Sequence, residues 1–213
     1  MLKTRLPFLI VGFGVMAIGV SAWADDKPAT KTFVNSKEGL TAKLTENYVD
    51  FSFDYPANWK VAERSKDSEN FVKVERYLGD GKDAVMQESF AVGHFKSSGN
   101  AELDKRLIPQ LLNLIDMQLK AGIPSYKKTS DGPTKLGKYE AIELRFTGEM
   151  KHEQKGMIPM WGRIVVLPNP SGGQQGVMLA ILATPQAPEL KDEKDLGVKG
   201  EMPAIIKSFK LGK

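Results

Sequence analysis

The sequence predicts an α+β domain, an antiparallel β-sheet covered by helices, and three observations carry that reading. FVKVERYL (71–78) and AVMQESFAVGHF (84–95) are β-patterned segments flanking the Gly-rich turn GDGKD. RIVVLP (163–168) and GVMLAILAT (176–184) repeat the arrangement around NPSGGQQ. Between the two hairpins, NAELDKRLIPQLLNLIDMQLKAG (100–122) has the spacing of one long helix. The chain has 213 residues, 41% hydrophobic and 26% charged, with no internal repeat, which suits a single core.

The first 24 residues stand apart from the fold. Lys3 and Arg5 precede an apolar run from Pro7 to Val20, and Ser21-Ala22-Trp23-Ala24 sets small residues at the −3 and −1 positions before Asp25. This is the pattern of a Sec-type signal peptide cleaved after Ala24, so a periplasmic or secreted protein is expected. The run is shorter than the roughly 20 residues that span a bilayer. Residues 25–36 (DDKPATKTFVNS) are polar and aperiodic and read as a flexible leader, leaving 37–213 as the domain.

In YVDFSFDYPANWKV (48–61), Val49, Phe51 and Phe53 share one strand face. Pro56 then fixes its own φ and holds Tyr55 extended, while Asp54 and Asn58 favour a turn. Trp59 is expected to re-enter the core and cover that corner. In the long helix Asn100 is the expected N-cap, with Glu102 and Asp104 in the first turn and Gly122 at C′. Leu103, Leu107, Leu111, Leu114, Ile115 and Leu119 are the expected core stripe, which leaves Ile108, Leu112 and Met117 over. Pro109 should kink the helix or start its second piece. YEAIELRFTG (139–148) alternates as a strand, with Ile142, Leu144 and Phe146 inward. GVMLAILAT is apolar on both faces, as a central strand would be. Met202, Ile205, Ile206 and Phe209 recur at i, i+3, i+4 and i+7, a short C-terminal helix opened by Pro203.

Composition excludes several chemistries. Without cysteine there is no disulfide, thiolate metal site, Fe–S cluster or thiol nucleophile. Removing Lys3 and Arg5 takes the net charge from +4 to +2, too little to argue for nucleic acid. His152 opens HEQKG, but Gly156 stands where the second histidine of H-E-x-x-H belongs. His94 in FAVGHF shares a face with Phe90 and Val92 and reads as a sheet histidine. GDGKDA is followed by a strand rather than a helix, so it is no dinucleotide fingerprint. Glu149, His152 and Glu153 are of ligand type and could collect a divalent ion weakly at a loop. No catalytic residue, metal or cofactor is assigned.

FSFDYPANWKV, together with VMLAILATPQAPEL and the closing helix IIKSFKL, resembles the PsbP-like domain. This is the family of the extrinsic photosystem II subunit and its bacterial relatives. The resemblance covers roughly residues 40–213 and implies an α/β/α sandwich. It further implies a non-enzymatic binding or accessory role, since family members dock on a membrane complex, bind the GTPase Ran, or hold hydrophobic helices. Partners vary too widely within a fold for one to be carried over. The candidate partner-binding residues come from composition instead. Met157, Ile158, Met160 and Trp161 cluster beside the polar run 151–155, and Met and Trp are enriched at contact surfaces. As a docking surface, Met157 and Met160 should be exposed; the favoured reading is instead that the segment only feeds the next strand, with Ile158 and Trp161 entering its core face. The alternative is a periplasmic carrier holding an apolar ligand in a groove beside the long helix.

Overall fold

A computed structural model of the chain describes residues 29–169 and 172–212. Element order is β1 (Thr30–Val34), α1 (Ala42–Glu46), β2 (Phe51–Pro56), β3 (Lys60–Val61), β4 (Asn70–Leu78) and β5 (Val85–Lys96). There follow α2 (Ala101–Gly122), β6 (Lys127–Leu136), β7 (Tyr139–His152), β8 (Gly156–Leu167), β9 (Gln175–Ala183), α3 (Met202–Ser208) and β10 (Lys210–Leu211). The strands form a three-stranded sheet, β1-β2-β10, and a seven-stranded sheet, β3-β4-β5-β9-β8-β7-β6. The pairings between neighbours are antiparallel, which gives the expected α+β class.

The large sheet has a core on each face. β9 lies at its centre because it is apolar on both sides, as its sequence predicted. Val177, Leu179, Ile181 and Ala183 enter the larger core, together with Phe51, Phe53, Trp59, Met202 and Phe209. Met178, Ala180 and Leu182 face the smaller core, which is built from α2 and the inner residues of β7 and β8. The two sheets face each other across the larger core, with α3 packed beside β2. The smaller core also shows a close approach that only glycine allows. Phe146 and Gly162 are register partners, and a Cβ on Gly162 would stand 2.0 Å from Phe146 Cζ.

The corner behaves as the turn residues predict. β2 ends at Pro56, Trp59 N–H donates to Pro56 O at 3.0 Å, and the Trp59 side chain is 2% exposed. Its indole Nε1–H is satisfied by Glu201 Oε2 at 2.6 Å, so the ring buries its apolar area without orphaning its donor.

Three expectations need correction. Residues 30–34, assigned to a flexible leader, form β1 and pair with β2 from Thr30↔Pro56 to Val34↔Ser52. One aromatic residue suffices to anchor so short a strand: Phe33 stacks on Phe51 and Phe53 at 5.8 and 5.5 Å. The helix stripe is the second correction. Leu103, Leu107 and Leu114 lie exposed, whereas Ile108 and Leu112 face the sheet beside Ile115. Third, no second helical piece begins at Pro109, since α2 runs through it as one helix.

Candidate functional site

Two apolar stripes on one helix make α2 the most informative surface. Its start follows from the sequence: Asn100 Oδ1 accepts from the backbone N–H groups of Glu102 and Leu103 at 3.0 and 3.2 Å. The inward stripe, with Ile108, Leu112 and Ile115, packs on β7 and β8. The outward stripe reads Leu103, Leu107, Gln110, Leu114, Met117 and Ala121, alternating steps of four and three. That is the repeat of a helix meant to meet another helix. Exposure is 45% at Leu103, 42% at Leu107, 58% at Leu114 and 67% at Met117. Arg106, Asn113 and Lys120 run along one flank, all exposed, and the two cations make no ion pair among the described residues.

At the N-terminal end of the same helix lies a groove of about 630 Å³. Ile108, Tyr139, Ala141 and Leu167 form much of its floor, and Lys105 and Lys138 stand at its edge. Asp104 is buried in its wall. Burial alone would raise its carboxyl, but hydrogen bonds from Ser97 Oγ and from Ser98 N–H, the latter at 2.8 Å, hold it below the ordinary value.

The residues singled out by composition are divided by strand alternation. Met157 is 43% exposed on β8, while Ile158 and Met160 are 7% and 6% exposed and face inward. Trp161 is half-buried against the larger core. Met160 is thus not the surface residue that a four-residue docking patch requires, because side chains alternate along a strand. The neighbouring polar run is the β7–β8 turn, and His152 holds it. His152 Nδ1 accepts from the backbone N–H groups of Gln154 and Lys155, both at 3.2 Å, and Nε2 lies 3.1 Å from Ala84 O. Glu149 accepts from Ser125 Oγ at 2.5 Å. His94 packs edge-on to Phe71, and burial pushes its imidazole below the ordinary pKa. Among the described residues, no group of three or more His, Asp or Glu is placed to hold a metal ion.

Sequence reasoning missed a charged cluster. Arg76 on β4 meets Glu88 of β5, Glu189 after β9, and Glu201 before α3. Only their place as register partners across the β4–β5 hairpin connects Arg76 with Glu88; the other two partners come from a distant segment. Trp59 donates to the same Glu201, so the cluster ties the corner to the C-terminal helix.

No family model and no curated protein sequence matches the chain. Solved structures do. The solution structure of cyanobacterial PsbP (CyanoP) from Synechocystis sp. PCC 6803 superposes with TM-score 0.52 at 10% identity, covering 90% of this chain and 98% of that one. The Saccharomyces cerevisiae Ran-binding protein Mog1p gives TM-score 0.43 at 10% identity, over 87% and 96% of the two chains. PA94 of Pseudomonas aeruginosa, a protein of unknown function, gives 0.34 at 16% identity, over 64% and 78%. Two sheets in this order, one long helix on the outer face of the large sheet and a short C-terminal helix packed beside β2 thus make up a PsbP-like fold.

Proposed function

We propose that the protein is an exported, non-enzymatic accessory factor that binds a protein of an envelope or membrane complex through α2. The observation that carries this reading is the outward stripe, four large apolar side chains held in water along one helix face. A folded chain gains by covering such a stripe, and a contiguous exposed apolar surface marks a contact site. The matching surface is an amphipathic helix whose apolar seam is flanked by acidic residues, because Arg106 and Lys120 line the stripe. Head-to-tail pairing of two copies would set Arg106 against Lys120, a repulsive contact. Likeness of fold to cyanobacterial PsbP supports an accessory role. Met157 lies on β8, outside the helix seam.

Export rests on the N-terminal pattern of charge, apolar run and small residues. Cleavage after Ala24 would leave β1 whole, since that strand begins at Thr30. Among the described residues no helix is long and apolar enough to cross a membrane.

Native gels of envelope fractions test the binding. Wild type should migrate with a larger complex, and Leu107→Glu/Leu114→Glu should run as free protein with its melting temperature little changed. Co-migration of that variant with the complex would overturn the helix seam. N-terminal sequencing of the exported protein should begin at Asp25.

A further inference from the structure

We infer that the groove at the N-terminal end of α2 binds a small carboxylate with a long apolar body, of the medium-chain fatty acid class. This site lies apart from the docking seam, for neither Leu107 nor Leu114 lines it. The first turns of α2, the start of β7, the end of β8 and Pro133 of β6 make it, with the loops at Gly99 and Gly172. Its volume of about 630 Å³ is far larger than a packing defect and lies within the range of small-molecule sites.

The floor decides what kind of body fits. Ile108, Tyr139, Ala141 and Leu167 are each no more than 8% exposed, so the groove bottom is apolar and shaped by the cores beneath it. The polar groups in the wall are already engaged. Ser97 Oγ donates to Asp104 Oδ2, and Ser98 N–H donates to Asp104 Oδ1 at 2.8 Å. Two loops close one end: Gly99, at φ +79°, sits where a Cβ would stand 3.2 Å from Gly172 O. A polar ligand would therefore find few unmet partners below the mouth, whereas an alkyl chain would lose only water.

The mouth decides the sign of the head group. Lys138 makes no ion pair among the described residues and lies over the Tyr139 ring, with Nζ 5.3 Å from the centroid. Among the described residues Lys105 is held only by Glu102, one turn away at 2.6 Å, with both side chains more than 70% exposed. Such a pair contributes little and exchanges easily for a ligand. The acid at the mouth, Glu140, is engaged by Lys135 at 3.0 Å. Two cations over an apolar floor select an amphiphile with one negative head.

Titration calorimetry on the exported protein tests this with sodium dodecanoate below its micelle concentration, beside dodecanol and dodecyltrimethylammonium. Dodecanoate should bind saturably at one site, at least about tenfold tighter than the cationic amphiphile. Lys105→Glu/Lys138→Glu should weaken dodecanoate by about tenfold while leaving dodecanol unchanged, as expected for two exposed charge contacts. Ile142→Trp, which fills the groove from β7, should abolish both if its melting curve shows it folded. Leu107→Glu/Leu114→Glu should bind dodecanoate as wild type does, which separates this site from the docking seam. Absence of saturable dodecanoate binding by folded protein, equal binding of the cation, or indifference to the double charge reversal would each overturn the proposal.

Discussion

Arg76 Nη2 lies 2.6 Å from Glu88 Oε2, and the Glu88 side chain has no exposure to solvent. The same guanidinium also holds Glu189 at 3.0 Å and Glu201 at 3.5 Å. One cation thus serves three acids, and among the described residues Glu88 Oε1 accepts no hydrogen bond. Burial pushes the Glu88 carboxyl up to about 7; Arg76 pulls it back, and Glu189 and Glu201 push it further.

The sign of the pH dependence follows from that raised value. Between the ordinary 4.5 and about 7 the folded protein holds a proton that the unfolded chain has released. Stability from Glu88 is then full below pH 4.5 and falls as pH rises through about 7, opposite to the usual carboxylate. Glu88→Gln should therefore be more stable than wild type at pH 8, by about 1–3 kcal/mol, with the difference gone near pH 4.5. Thermal melts across that range measure it. A less stable variant at pH 8 would mean that the ion pair outweighs its desolvation.

Trp59 combines a filled corner with a satisfied donor, and the two contributions separate by substitution. Trp59→Ala should cost about 3–5 kcal/mol, since a 2% exposed indole leaves a large cavity. Trp59→Phe keeps much of the volume but removes the hydrogen bond to Glu201, and should cost about 1–3 kcal/mol. Urea melts of the two variants give both values.

Gly162→Ala should destabilise strongly, by about 2–4 kcal/mol, because the added methyl meets the Phe146 ring at 2.0 Å. The double variant Phe146→Leu/Gly162→Ala should recover part of that loss. Additive costs would show that the backbone, and not the ring, resists the methyl.

Methionine oxidation reads the surface directly. Dilute peroxide should convert Met117 and Met157, which are 67% and 43% exposed, well before Met160 and Met202 at 6% and 0%. Peptide mass spectrometry resolves the four. Early oxidation of Met160 in folded protein would mean that β8 opens at this point.

The sequence announced those elements whose signals are local. Both Gly-centred hairpins, the Asn100 cap and the Tyr55-Pro56 corner are specified within a few residues, and β9 declares its central place by being apolar on two faces. β6 could not be read this way. KKTSDGPTKL is polar up to its last residue, Leu136, and carries Gly132 and Pro133, features an edge strand tolerates, and only its ladder to β7 makes it a strand. The orientation of α2 fails for a different reason. Both of its stripes obey helical periodicity, so pattern alone cannot tell which one meets the sheet; the positions of β7 and β8 decide it. Strand register has the same effect at Met157 and Met160, since only the ladder to β7 fixes which residues of that segment point outward. The groove is the least visible, because its floor draws on residues 108, 139, 141 and 167 from three elements.

The small sheet has a consequence in time. β2 lies between the N-terminal strand β1 and the C-terminal strand β10, and Ser208 closes the join by accepting from Asp54 N–H at 2.8 Å. Phe209 then stacks on Phe51 at 5.8 Å, completing the aromatic centre of the larger core. A polypeptide threaded through a pore with its N-terminus leading therefore cannot shut this core while its C-terminal strand remains behind. Arrival of Phe209 and β10 then completes the aromatic centre, so the last residues to emerge are the ones that close the core.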